Sequence, residues 1–290
     1  MKFKKVDISD RDIILKYLKP GNIFGAHQSF TNMFIWQEGY NIEYCIKDGF
    51  FIEKSSFQSD VPFFIFPEGE GDLVSVLNSV SDYAQSKGCK LNFTQLSEKQ
   101  ADFLEKNFKG KFRFEESRSS AEYVYEVDKM INLPGKKLHA KRNFLNGFKA
   151  SYDFEYRDIT EDNIKEVKEF CLSLVENKEG RDDEIISIHK LFDNFKELKV
   201  AGAAIYIGGK VIAATVGEML SPDTAVIHLE KADTSYRGGF VAISSMFLQN
   251  RFADVKYVNR EEDMGIEGLR TAKMSYHPCR LVKKITAREI

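Results

Sequence analysis

Apolar and polar positions alternate through residues 154–159, FEYRDI, as in a half-buried strand. The period then lengthens. Thr160-Glu161-Asp162-Asn163 puts a capping hydroxyl and acidic residues ahead of Ile164, Val167, Phe170, Cys171 and Leu174, which fall at helical spacing. A second helix is predicted over 184–198, with Ile185, Ile188, Phe192 and Phe195 as its apolar stripe. Gly208-Gly209 interrupts the next apolar run and marks a hairpin, because a tight primed turn needs two positive φ values. A strand at 224–232, a helix at 241–252, a strand at 254–261, a helix at 266–276 and a last strand at 279–289 complete the half.

The first half repeats this order. A short strand at 4–9 is followed by a helix capped by Ser9 and stopped at Pro20-Gly21. A second helix spans 28–39, and a hairpin turns at Asp48-Gly49 within 41–55. A strand at 62–67, a helix at 73–88, a strand at 89–95, a helix at 98–108 and an extended tail at 111–127 follow. Each half reads β-α-α-β-β-β-α-β-α-β, with no residue-level repeat between them. Residues 132–152 form a Pro-Gly stop and a basic amphipathic helix with Leu138, Phe144, Leu145 and Phe148 on its apolar side. That helix is expected to connect the two halves and pack between them. The expected division is 1–130, an inter-domain helix at 131–152, and 153–290.

Composition narrows the function. The 290 residues are 43% hydrophobic, with 24 Phe and 12 Tyr, enough to fill two cores. The net charge of −2 gives no global basic field, so any nucleic-acid contact must come from a local patch. Cys45, Cys89, Cys171 and Cys279 are widely spaced, which suits free thiols in a reducing cytoplasm. Neither they nor His27, His139 and His189 have metal-ligand spacing, so no metal site is expected. The N-terminus lacks an apolar signal core and the longest weakly polar run, 201–217, is too short to span a bilayer. A soluble, cytoplasmic protein is the expectation.

Three stretches carry candidate chemistry. The first, His228 to Phe247, runs from a strand through Tyr236-Arg237-Gly238-Gly239 into a helix, a turn that can hold a phosphate or carbonyl. On its strand His228 and Glu230 share a face, with Glu230 the better general base because it lies at the strand end. The second is Asn259 to Pro278. Arg270, Lys273 and His277 there make a cationic stripe suited to a phosphate or carboxylate, Ile266, Leu269 and Tyr276 a packing face, and Glu261, Glu262 and Asp263 a charged run. The third is Lys136-Lys137-x-His139-x-Lys141-Arg142, a basic patch for the acceptor end of a tRNA or for other phosphates. Each stretch also reads as ordinary scaffold: a plain strand-to-helix turn, a solvated helix face, a basic linker. No nucleophile elbow, P-loop or catalytic triad is present, so covalent catalysis has no motif.

The element order resembles the GNAT acyltransferase fold, taken twice. Further likeness lies in Tyr123-Val124-Tyr125 leading to Leu133-Pro134-Gly135-Lys136-Lys137, in 141–148, in Gly209-Lys210 and in Glu230-Lys231-Ala232-Asp233. It continues through Asn259-Arg260-Glu261-Glu262-Asp263-Met264-Gly265 and Leu269-Arg270-x-x-Lys273-x-Ser275-Tyr276-x-Pro278. By these the chain resembles the family named after the C-terminal part of phosphatidylglycerol lysyltransferases, and more broadly the Fem-type aminoacyltransferases and aminoacyl-phosphatidylglycerol synthases. The resemblance implies two tandem α/β domains with mixed sheets. It implies a donor site at Tyr236, Arg237, Gly238, Gly239 and Ala242, and catalytic roles for Glu230, Asn259 and Lys273. It implies substrate contacts at Lys141, Arg142, His228, Arg260, Glu261, Asp263, Arg270 and Tyr276. In GNAT enzymes the donor loop reads Arg/Gln-x-x-Gly-x-Gly/Ala. Here Arg237 and Ala242 match, but Phe240 replaces the glycine that lets a pyrophosphate approach. Three functions follow as expectations. The first is an aminoacyl or acyl transferase, with aminoacyl-tRNA favoured as donor and a small molecule, peptide or lipid headgroup as acceptor. The others are an acyl-CoA N-acyltransferase and a non-catalytic binding protein.

Overall fold

The structure, a computed structural model, describes residues 1–18, 25–56, 61–176 and 180–290. In chain order the first elements are β1 (Lys4–Lys5), α1 (Arg11–Ile14), α2 (Phe30–Trp36), β2 (Glu43–Lys47), β3 (Phe50–Ser55), β4 (Phe63–Phe64) and β5 (Glu68–Gly69). Then come α3 (Leu73–Ser86), β6 (Asn92–Leu96), α4 (Glu98–Asn107) and β7 (Phe112–Glu116). Next are β8 (Glu122–Glu126), α5 (Val127–Asn132), α6 (His139–Ser151), β9 (Phe154–Asp158), α7 (Ile164–Ser173), α8 (Asp182–Asp193) and α9 (Phe195–Leu198). The last are β10 (Ala201–Ile207), β11 (Lys210–Ser221), β12 (Thr224–Ala232), α10 (Gly239–Arg251), β13 (Tyr257–Glu262), α11 (Glu267–Met274), β14 (Arg280–Val282) and β15 (Ile285–Glu289).

Two units emerge. The first comprises 1–19, 27–121 and 283–290, the second 20–26 and 122–282. This differs from the division at 130 and 152 expected from sequence. The extended tail is two strands, β7 in the first sheet and β8 in the second, separated by a short turn of 3-10 helix. The last strand is likewise two: β14 pairs with β8 in the second sheet, and β15 pairs with β6 and β7 in the first. Periodicity cannot show this, because a strand keeps its alternation whichever sheet it joins. The basic helix is α6, and it belongs to the second unit. Its Leu145 and Phe148, with Leu138 just before it, are buried in that unit's core.

The first sheet has the order β1-β2-β3-β4-β6-β15-β7, with β5 on β3. An aromatic core of Phe50, Phe64, Phe66, Phe93 and Phe112 fills one of its faces with Val76, Leu77 and Val80 of α3. Helix starts follow side-chain caps: Asp72 accepts from Ser75 N, and Ser97 with Gln100 forms a capping box on α4. Two expected caps differ. Asp7, not Ser9, caps the first turn. Asn163 rather than Thr160 precedes α7, its Oδ1 accepting from Thr160 N at 2.8 Å. The stop assigned to Pro20-Gly21 lies outside the described residues.

The second sheet runs β14-β8-β13-β12-β11-β10-β9. Gly208 and Gly209, at φ 56° and 75°, make the β10–β11 turn as the sequence requires. Helix α10 packs on β10, β11 and β12 and against α5 and α6. Buried Gly239, Ala242, Ser244 and Ser245 allow that close approach, and Ile243, Phe247 and Leu248 fill the remaining space. Each such large side chain contributes about 1.5–3 kcal/mol by leaving water. The one parallel pair in this sheet, β12 with β13, matches only Thr224 with Tyr257, Ala225 with Val258 and Val226 with Asn259. Beyond Val226 the two strands part. The fork so formed, at the carboxyl ends of parallel strands, is where α/β sheets commonly bind ligands.

Candidate functional site

The fork is a cavity of about 550 Å³. Strand β12 supplies Ile227, His228 and Glu230, and β13 supplies Arg260 and Glu261. The β12–α10 turn adds Tyr236, Arg237, Gly238 and Gly239, and the start of α10 adds Phe240 and Val241. Lys141 and Phe144 come from α6, Leu269, Ala272 and Lys273 from α11, and Tyr276 follows α11.

The cavity is built around a bulge. In a regular strand Arg260 and Glu261 would point to opposite faces. Glu261 instead has φ 57°, and the β13–β8 register shifts between Asn259 and Glu262. Both neighbours can therefore reach the face of β12 that carries His228 and Glu230. Arg260 Nη2 pairs with Glu230 Oε1, and Glu261 Oε1 lies 3.2 Å from His228 Nδ1. The opposite ring nitrogen of His228 is 3.0 Å from Glu218.

Two residues expected to act in chemistry hold this bulge from behind. Lys273 Nζ donates to the carbonyls of Arg260 at 2.7 Å, Glu261 at 3.2 Å and Glu262 at 2.5 Å. Burial lowers its pKa. Asn259 is fully buried. Its Nδ2 donates to Glu122 at 2.5 Å, and its Oδ1 accepts from Glu261 N at 2.7 Å. Glu122 also accepts from Ala26 N at 2.9 Å. Sequence spacing missed Glu122 and Glu218, since neither lies within a motif; only pairing brings them to the fork.

The cationic stripe of α11 is not a free anion-binding face. Arg270 is bound to Asp263 at 2.8 and 3.0 Å, and Asp263 also accepts from Tyr123 Oη at 2.5 Å. Those bonds hold the Asp263 carboxyl well below the usual carboxylate range. Lys273 is occupied with the bulge, and His277 lies past the helix end at φ 55°. Ile266, expected to pack, is exposed. Helical spacing groups Arg270 with Lys273 but cannot say that the helix ends before His277, or that the preceding loop folds back to pair with Arg270 and Lys273.

Above the bulge the cavity is cationic and aromatic. Lys141 Nζ lies 4.1 Å from the centre of the Tyr276 ring, and Arg260 5.0 Å from the same ring. Burial, then the nearby Arg260, lowers the Lys141 pKa. Burial pushes Tyr276 up to about 12. Burial opposes the charge on Arg260, yet Glu230 together with Tyr276 and Tyr125 more than offsets it and its pKa rises. Each member of this pair keeps a buried polar atom, Glu230 Oε2 and Arg260 Nη1, with no hydrogen-bond partner among the described residues. Arg142 points elsewhere, to the carbonyls of Leu133 at 2.5 Å and Gly135 at 3.3 Å.

The donor turn differs from a simple phosphate loop. Gly238 caps α10 at φ 93°, and a Cβ there would meet the Phe144 carbonyl oxygen at 2.6 Å. Two of the turn's amides are used internally: Gly239 N donates to Tyr236 O at 3.0 Å, and Ala242 N to Gly238 O at 2.9 Å. Ala242 is fully buried and does not line the cavity. The amides of Phe240 and Val241 precede that first helical bond, and no side chain caps them. The Phe240 ring is exposed on the cavity wall.

Two mixed α/β sheets, the second forked at its parallel pair ahead of a glycine-capped helix, define a tandem GNAT-fold protein of the acyltransferase type. The chain belongs to the family described as "Phosphatidylglycerol lysyltransferase, C-terminal", whose model matches residues 21–288. It is similar over its full length to a conserved protein of unknown function from Bacteroides thetaiotaomicron, with 32% identity, a TM-score of 0.93 and 100% of both chains covered. It shares its fold with L-PGS of Bacillus licheniformis, at 14% identity and TM-score 0.69, over 98% of this chain and 92% of that one. It also shares it with a tandem GNAT protein of the clavulanic acid biosynthesis pathway, at 9% identity and TM-score 0.50, over 99% and 98%. An uncharacterised protein of Mycoplasmoides gallisepticum is 25% identical over 177 residues, 59% of this chain and 57% of that protein's length. Among the described residues no helix is long and apolar enough to cross a membrane.

Proposed function

We propose that the fork of the second unit is a transfer site, in which an aminoacyl or acyl group leaves an activated carrier for an amine or hydroxyl acceptor by direct attack. The observation that carries this reading is the cavity itself: it opens where β12 and β13 part, with the first turn of α10 on its wall and the Glu230–Arg260 pair beside it. The acceptor nitrogen or oxygen bonds to the donor carbonyl carbon. The carbon–oxygen or carbon–sulfur bond to the carrier then breaks, and a proton passes from the nucleophile to the departing atom. Glu230 Oε2 is the base or relay for that proton. Arg260 and the Phe240 and Val241 amides are the positive groups for the carbonyl oxygen. His228, Asn259, Glu261 and Lys273 position the bulge. Asp263, Arg270 and Arg142 brace the loops around it.

Aminoacyl-tRNA is the favoured donor, available in the cytoplasm, and a lipid headgroup, peptide or small molecule the acceptor. Family membership supports an aminoacyl donor. The Phe240 side chain and the internally bonded amides of Gly239 and Ala242 disfavour a coenzyme A pyrophosphate. Arg237 and Gly238 keep the acyl-CoA reading as the alternative. The test is discharge of labelled aminoacyl-tRNA, alongside acetyl- and long-chain acyl-CoA, with amine acceptors and phosphatidylglycerol vesicles. Wild-type protein should discharge the tRNA, and Glu230→Gln should be slower by about 100-fold or more. Transfer from acyl-CoA alone would establish the alternative. No transfer and no thermal shift with any donor would leave a binding protein.

A further inference from the structure

The Glu230–Arg260 pair leaves each partner half used. Glu230 Oε1 holds Arg260 Nη2, while Glu230 Oε2 and Arg260 Nη1 are buried with no hydrogen-bond partner among the described residues. The two side chains are only 10% and 12% exposed, so water does little to satisfy either atom. A ligand that brings a donor to Glu230 Oε2 removes the cost of leaving it unmet.

Lys141 is a further unmet group in the same cavity. Of the basic run at 136–142, it is the residue that lines the fork. Its ammonium lies over the Tyr276 ring, which it shares with Arg260, and among the described residues it has neither a carboxylate nor a carbonyl partner. Burial and the like charge of Arg260 both work against it. Lys273, the cavity's other lysine, shows the contrast, since its donors are spent on three carbonyls. A half-buried ammonium beside a like charge is unfavourable by itself and becomes favourable once an anion joins it. Around these groups Phe144, Ile227, Val241 and Leu269 supply apolar surface. The cavity therefore complements a molecule with an amine, a carboxylate and a hydrocarbon side chain. A plain amine leaves Lys141 without an anion, and a plain carboxylic acid leaves Glu230 Oε2 without a donor.

We infer that the acceptor in the fork is a free amino acid with an apolar side chain, with Glu230 Oε2 as the seat of its amine and Lys141 as the residue that selects for its carboxylate. The inference rests on the transfer-site reading and narrows its acceptor class. The amino group arrives as an ammonium. Glu230 takes one proton, the nitrogen bonds to the donor carbonyl carbon, and the bond from that carbon to the carrier's oxygen or sulfur breaks. The second proton goes to the departing atom, the third stays on the amide nitrogen, and Glu230 returns its proton to solvent. The product is an N-acylated or N-aminoacylated amino acid.

Binding is measured without a donor, by calorimetry and thermal shift on the full-length protein, with L-leucine, L-leucinamide, isocaproate and phosphoethanolamine. Leucine should bind about 10-fold or more tightly than leucinamide, which lacks the carboxylate, and than isocaproate, which lacks the amine. Lys141→Met should bring leucine and leucinamide to equal affinity, and Lys141→Arg should keep the preference. The unliganded melting temperature of Lys141→Met should stay level or rise, since the variant removes a half-buried charge that has no partner. Equal binding of leucine and leucinamide by the wild type overturns the assignment, and that comparison needs no variant. So does a Lys141→Met variant that weakens both ligands alike, tighter binding of phosphoethanolamine than of leucine, or no leucine binding. The transfer reading is tested separately by donor discharge: discharge to amines without a preference for leucine would keep that reading and remove this one.

Discussion

His228 offers a test in which two opposed effects give opposite signs. Its side chain has no exposed surface, so burial alone would pull its pKa down and leave the ring neutral. Glu218 on β11 and Glu261 on β13 act the other way, at 3.0 and 3.2 Å from its two nitrogens. The carboxylates win, and the pKa rises from 6.5 to about 9. At about 1.4 kcal/mol per pH unit, that gap corresponds to about 3 kcal/mol of stability. The folded pKa exceeds the unfolded one. The contribution is therefore fully present below about pH 6.5 and is lost as pH rises through about 9. The assay is urea unfolding of wild type and His228→Gln at intervals from pH 6 to 10. Whatever the variant costs at pH 6, the difference between the proteins should shrink by up to about 3 kcal/mol by pH 10. A difference that stays constant, or grows with pH, would refute the reasoning: the ring would be neutral and burial the larger effect. Because Glu261 carries the bulge, donor binding should weaken over the same range.

Other predictions concern the supports of the fork. Lys273→Met removes three hydrogen bonds to part-buried carbonyls and should lower unfolding stability by about 3–5 kcal/mol, read from the urea midpoint; a loss below 1 kcal/mol would mean water replaces the ammonium. Gly238→Ala combines a positive φ with a Cβ 2.6 Å from a carbonyl oxygen and should cost about 2–3 kcal/mol, whereas Gly147→Ala should be neutral or stabilising by thermal melting. Phe240→Gly removes an exposed ring from the donor turn and should tighten coenzyme A binding in calorimetry while changing stability by about 1 kcal/mol or less. An unchanged affinity would show that the internally bonded amides, not the ring, disfavour the pyrophosphate.

Much of the fold was legible along the chain because it is local. Alternation, the glycine pair at 208–209 and the helical stripe spacings are set by neighbours within a few residues. They yield the tandem element order, and they place β12 at 224–232 as observed. The motifs also marked most of the fork: Glu230, the Tyr236–Gly239 turn, Arg260, Glu261, Lys141 and Tyr276 all meet in one cavity. What the sequence could not reveal depends on pairing and folding-back. That β8 and β15 sit in sheets other than their neighbours' is a matter of register between distant segments. That Lys273 and Arg270 hydrogen-bond to the loop before their helix follows from the left-handed turn at Glu261 and the buried Asp263. Sequence alone determined the kinds of side chain available at the fork. Tertiary structure decided which of them keep a free valence, because only the packed chain determines which charges are neutralised by their neighbours and which face the cavity.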